Sequence, residues 1–114
     1  DQNDNDATYA NKISSQNRKI NFNKSVNEVL NLIRAHSPKP GAWFSIQNER
    51  IKIIKARKSN SSGNASTILN DTFDIGCNDG SIEPLILQRE GKNVISKDDF
   101  LRGYSFKIND IINV

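Results

Sequence analysis

The chain has 114 residues, 35% of them apolar, with one cysteine and a formal charge of +3, which suits a single domain with a modest core rather than two. One cysteine excludes an internal disulfide and a cysteine-built zinc site and fits a reducing compartment, and no apolar run approaches the roughly 20 residues that cross a bilayer. Residues 7 to 70 carry eleven Lys or Arg against Glu28 and Glu49, whereas residues 71 to 114 carry five against eight acids, and a basic half of this kind suggests a polyanionic partner, nucleic acid first.

Asp1 to Asp6 is all Asp, Gln and Asn, a composition that buries nothing and is expected to be extended or disordered. Ala7 to Phe22 has scattered anchors, Tyr9, Ile13, Ile20 and Phe22, among Asn, Ser and cations, so residues 1–22 read as a linker and residues 23–114 as the domain. The sequence holds no methionine, and it reads as part of a longer protein. Ser25 and Glu28 have the spacing of a capping box, and Val26, Val29, Leu30 and Ile33 then repeat at helical period. This helix should end near His36, because Pro38 disfavours α geometry at Ser37.

From Gly41 the period changes. Ala42 to Gln47 reads as a strand, Asn48-Glu49 as a tight turn, and Arg50 to Lys58 as the hairpin partner. Ser59 to Asn64 is a loop. Thr67 to Leu69, Phe73 to Cys77 and Ile82 to Gln88 are the remaining strands, the last confined by Pro84 to an edge or a bulge. Five short strands suggest a small closed or partly closed barrel. Ser96 to Asp99 is a second capping signature, Phe100 and Leu101 give the buried side of a short helix, and Gly103 stops it. The tail from Phe106, with Ile108, Ile111 and Ile112, should add a strand or pack on the barrel.

The Arg50 to Lys58 strand carries five cations and no acid. Strict alternation would send Arg50 and Lys52 to one face and Lys55 and Arg57 to the other. An extra residue at Ile53-Ile54, a β-bulge, would bring all four to one outer face with Ile51, the isoleucine pair and Ala56 inward.

No catalytic set emerges. His36, the only histidine, lies at a helix end where positive charge suits the dipole. Cys77 lacks a basic neighbour and reads as a buried structural thiol. Asp71, Asp74 and Asp79 lack the ligand spacing of a calcium loop and read as turn and strand-end residues. No metal or cofactor site is expected, and the residues point to a binding module.

Several stretches closely resemble the linker and C-terminal domain of the methionyl-tRNA formyltransferase family. They are Ala7 to Ile13, Ile33 to Ala35 running into Pro38 to Phe44, Lys52 to Arg57, Gln88 to Lys92 and Asp99 to Gly103, in family order from Ala7 to Tyr104. The resemblance implies a mainly β fold with short helices, an OB-like small β-barrel preceded by one amphipathic helix. It implies that the catalytic Rossmann-like domain, which takes 10-formyltetrahydrofolate, is absent from this chain. By the same resemblance the parent enzyme formylates the amino group of methionyl initiator tRNA, and this part offers the tRNA a positive surface beside its own N-terminal domain; a cytoplasmic monomer is expected. Where the family often has Arg-Ile-Asp-Trp this chain has Lys19-Ile20-Asn21-Phe22, and His36-Ser37-Pro38 stands where the family has Phe-Asn-Pro.

The residues expected to meet RNA are Lys12, Arg18, Lys19, Arg34, Lys39, Arg50, Lys52, Lys55, Arg57 and Lys58. Trp43 and Phe44 are neighbours in a strand, so one of the two must face the core. Two rival readings are the C-terminal domain of a sugar-nucleotide N-formyltransferase and a non-catalytic structural or partner-binding barrel.

Overall fold

The computed structural model describes residues 17–113. Helix α1, Val26–His36, forms where its caps are written: the Ser25 hydroxyl accepts from the Glu28 amide at 3.1 Å and the Glu28 carboxylate from the Ser25 amide at 3.2 Å. A third donor at this end, the Val26 amide, reaches Asp79 at 2.8 Å, so a turn residue from the far half of the chain completes the cap. Val26, Val29, Leu30 and Ile33 are buried, and Ser37 leaves helical geometry at ψ 145°, as the following proline requires.

Five antiparallel strands follow: β1 (Ala42–Ile46), β2 (Glu49–Ser59), β3 (Ile75–Cys77), β4 (Gly80–Arg89) and β5 (Val94–Ser96). Their order is β1-β2-β4-β3, with β5 also on β4. The curled sheet is carried round to β1 by single bridges, Ile68 to Ile75, Thr67 to Ile111 and Asn113 to Ser45. The tail thus completes a small barrel. A short helix α2, Lys97–Gly103, capped by Ser96, lays Phe100 into the core.

The expected bulge is present. Ile53 pairs with Leu87 and Lys55 with Ile86, so Ile54 is the extra residue, and the register returns at Ala56 and Pro84 because Leu85 is left over on β4. Ile51 and Ile53 are buried, while Arg50, Lys55 and Arg57 are exposed. Pro84 answers to both expectations for a strand proline. It lies on the most heavily paired strand, yet β3 covers only Gly80 to Ile82 and β5 only Ile86 to Gln88, so the edge beside Pro84 makes no ladder.

Four details differ from the sequence-based expectation. The hairpin turn is Gln47-Asn48, one residue early, with φ of 52° and 63°; two consecutive left-handed residues give the turn twist that antiparallel strands favour. Thr67 to Leu69 makes isolated bridges rather than a strand. Strand β3 starts at Ile75, because Phe73 is left-handed at φ 67° and breaks the extension. Strand β5 was not anticipated: its three residues are too few for a period, and Val94 is exposed.

Phe73 holds its unusual backbone at the centre of the core. Its ring lies 5.0 Å from Phe100, 5.0 Å from Phe106 and 6.1 Å from Tyr104, all edge-on, and edge-on aromatic contacts of this kind oppose a left-handed penalty of about 1 kcal/mol or more. Ile20 and Phe22, read as linker anchors, are 3% and 1% exposed. Main-chain bonds from Trp43 N to Arg18 O and from Ile20 N to Trp43 O, 3.0 and 2.7 Å, lay this segment along the edge of β1.

Candidate nucleic-acid interface

The barrel's outer face is built where β1, β2 and β4 cross in register: Trp43 opposes Lys52, and Lys52 opposes Gln88. Phe44 points the other way, into the core, with its ring 5.6 Å from Phe22. Trp43 is 5% exposed although it lies on the outer face, and two cations stand over its ring. The Arg50 guanidinium carbon stands 3.9 Å from the indole centroid and the Lys19 ammonium 5.5 Å, attracted by the ring quadrupole. Arg18 joins this group, its Nε donating to the Gly41 carbonyl at 3.3 Å.

The turn before β1 links this cluster to a second one. Gly41 is left-handed at φ +92°, and a side chain there would meet the Lys52 Cδ at 3.1 Å; the absent Cβ lets the turn close over the Lys52 stem. Ser37 Oγ donates to the Ile54 carbonyl at the bulge. Lys39 is exposed in the turn between Ser37 and Gly41. Arg34 and Lys55 then border an apolar groove floored by Leu30, Ile33, Ile54 and Ile86. Arg18, Arg50 and Lys52 thus line one cleft, and Arg34 and Lys55 a second.

Neutralisation divides these groups. Arg57 Nε lies 2.8 Å from Glu83, whose other oxygen is taken by Lys97. The Lys97 ammonium and then Arg57 hold the Glu83 carboxyl below its usual range against the opposing effect of burial. Among the described residues Arg57 is the one member of the expected set that is ion-paired; Arg18, Lys19, Arg34, Lys39, Arg50, Lys52, Lys55 and Lys58 pair with no acid there. Lys58 sits at the far end of β2, about 26 Å of strand from Arg50 at roughly 3.3 Å per residue, near Asp74. Lys12 lies outside the described residues.

Arg89 was not singled out from the sequence, and its role is structural. It makes a two-pronged bond to Glu49 at 2.9 and 3.0 Å, donates to the Gly103 carbonyl at 3.1 Å, and lies 5.0 Å over the Tyr104 ring. One side chain thus ties β2, β4 and the end of α2 together. Gln88 Nε2 donates to the Lys92 carbonyl at 2.9 Å, so the Gln88 to Lys92 stretch shapes the β4–β5 turn. Arg89→Met is expected to cost about 2 to 3 kcal/mol, since a charged two-pronged bond is lost and Glu49 is stranded half-buried; a urea midpoint equal to that of the parent chain would refute it.

No catalytic set assembles among the described residues. Cys77 is buried, and loss of solvent, with Asp79 nearby, pushes its thiol up to about 12, which leaves it protonated and inert as a nucleophile. Asp74 is buried and accepts from Ser61 at 2.7 Å and Asn70 at 3.2 Å; no group of acids, histidine or cysteine among the described residues could hold a metal ion. No helix among them is long and apolar enough to cross a membrane.

The family model for the formyl transferase C-terminal domain matches residues 12–105. The methionyl-tRNA formyltransferase of Sinorhizobium fredii is 41% identical over 99 residues, 83% of this chain and 32% of that protein. That of Bradyrhizobium diazoefficiens is 37% identical over 110 residues, 93% of this chain and 35% of that protein. The chain therefore spans about a third of the length of these curated relatives. Among solved structures, HypX from Aquifex aeolicus in complex with tetrahydrofolic acid matches 88% of this chain and 21% of its own, with a TM-score of 0.66 at 15% identity, a likeness of fold.

Proposed function

The chain belongs to the formyl transferase C-terminal domain family, and from that premise we propose that it is the tRNA-binding part of a methionyl-tRNA formyltransferase. In this reading residues 1–22 are the linker to an N-terminal catalytic domain, which takes the formyl group from 10-formyltetrahydrofolate. The parent protein is then a cytoplasmic enzyme, and this chain alone is inactive. The domain is a monomer whose task is to hold initiator methionyl-tRNA so that the acceptor end reaches the catalytic domain.

One observation carries the reading: the bulge in β2 brings Arg50, Lys52 and Lys55 to one face, and none of their side chains is ion-paired among the described residues. Burial of apolar surface does not require such an arrangement, and it leaves charge facing charge unless an anion arrives. Phosphate and sugar contacts position RNA without reading its sequence, so choice of the initiator rests with the catalytic domain and the acceptor end. Arg57, already held by Glu83, contributes least; Lys12, Arg18, Lys19, Arg34, Lys39 and Lys58 flank the central three in the sequence or the fold.

The test is a titration of labelled tRNA at two salt concentrations. Contact of about five cations with phosphates gives a slope of log affinity on log salt of roughly −3.5 to −4.5. Binding that ignores salt, or none at low salt, would sink the proposal.

A further inference from the structure

Between the start of β2 and the β4–β5 turn lies a cleft of about 270 Å³, lined by Arg18, Trp43, Arg50, Lys52, Gln88 and Glu90 among others. Trp43 is almost wholly covered, and part of that cover is the Arg50 guanidinium 3.9 Å above its ring centroid. Arg50 itself is exposed and borders the cleft. The side of the guanidinium turned away from the indole is therefore left to a ligand. An arginine held against an aromatic ring is pre-ordered, and its planar group is a surface on which an unstacked base sits.

The rest of the cleft has the groups that the remainder of a nucleotide needs. Arg18 donates to the Gly41 carbonyl, the Lys52 stem passes close to the same turn, and both cations line the space. Gln88 spends its amide nitrogen on the Lys92 carbonyl, which leaves its oxygen as an acceptor. Glu90, which weakly holds the Arg50 amide at 3.5 Å, adds a second acceptor at the rim. A volume just under the roughly 300 Å³ of small-ligand pockets suits one nucleotide and not a helical stem.

We infer that this cleft holds one unpaired nucleotide of the bound RNA, its base stacked on Arg50, its phosphate between Arg18 and Lys52, and an exocyclic amino group toward Gln88 and Glu90. The inference rests on the RNA-binding reading above and names a contact within it that a smooth belt of phosphate-binding cations would not make.

The chain has one tryptophan, so a single indole N–H resonance reports on the floor of this cleft. The 114-residue chain is titrated with cytidine 5′-monophosphate, inorganic phosphate and cytidine at matched ionic strength. The monophosphate is expected to move the Trp43 resonance saturably, and the other two probes several-fold more weakly. Arg50→Lys, which keeps the charge and removes the plane, should weaken the monophosphate response on the order of tenfold. An equal response to inorganic phosphate would show an anion site only and overturn the nucleotide assignment. So would a silent Trp43 resonance in a chain that still binds tRNA with the expected salt slope. If tRNA binding itself is missing, the wider reading fails first and this inference with it.

Discussion

Lys52→Glu combined with Lys55→Glu is expected to lower tRNA affinity by about 30- to 100-fold near 0.1 M salt and to flatten the salt slope by roughly 1.5 to 2. Both side chains lie on the bulged strand, and no acid among the described residues pairs with either. Each reversal removes one phosphate contact and adds one repulsion. Lys55 is exposed and Lys52 only half-buried, so the fold should barely notice: a melting temperature within about 3 °C of the parent is expected. The internal control is Arg57→Gln, which should cost less than about threefold because Glu83 already holds that guanidinium at 2.8 Å. If the double variant binds tRNA as the parent does, or if Arg57 matters as much as Lys55, the interface lies elsewhere.

Gly76→Ala is expected to be the most damaging of the six possible glycine-to-alanine changes. A Cβ at Gly76 would lie 2.0 Å from the Asn64 carbonyl oxygen and 2.9 Å from its carbon, inside any real contact distance. Neither chain segment is free to give. Gly76 N donates to Thr67 O at 3.0 Å, Ser66 N donates to Gly76 O at 2.9 Å, and the Thr67 hydroxyl holds the same Asn64 oxygen at 2.8 Å. Opening this contact breaks the link through which residues 66–68 join β3 to the C-terminal tail, and with it the closure of the barrel. A loss of about 4 kcal/mol or more follows from overpacking plus broken main-chain bonds, a large share of the roughly 5 to 15 kcal/mol that a domain of this size holds. Thermal unfolding measures it. A melting temperature within about 3 °C of the parent would mean that the loop before Ser66 moves aside at no cost.

Much of this molecule could be read before it was folded, where the signal was local. Ser25 and Glu28 are three residues apart, and their two bonds depend on nothing beyond one turn of helix. The apolar spacing of Val26, Val29, Leu30 and Ile33 named the buried face for the same reason. The bulge was legible because two isoleucines in succession inside an alternating run leave one residue too many. The turn was placed one residue late because Gln47 carries no turn signal of its own; its left-handed geometry comes from strand twist. Strand β5 escaped because three residues show no period, and it is held by its pairing with Ile86 to Gln88.

What the sequence determined by itself was the helix with its caps and the cationic strand with its extra residue. Which of those cations are open to an anion was decided only by tertiary structure. Arg57 is paired with Glu83, 26 positions away, and Arg89 with Glu49, 40 positions away, through the register of β2 against β4. Residue spacing reports which face of its own strand a side chain takes. Whether a charge on that face meets an acid, an indole or water depends on which strand lies alongside, and burial of the whole core sets that register.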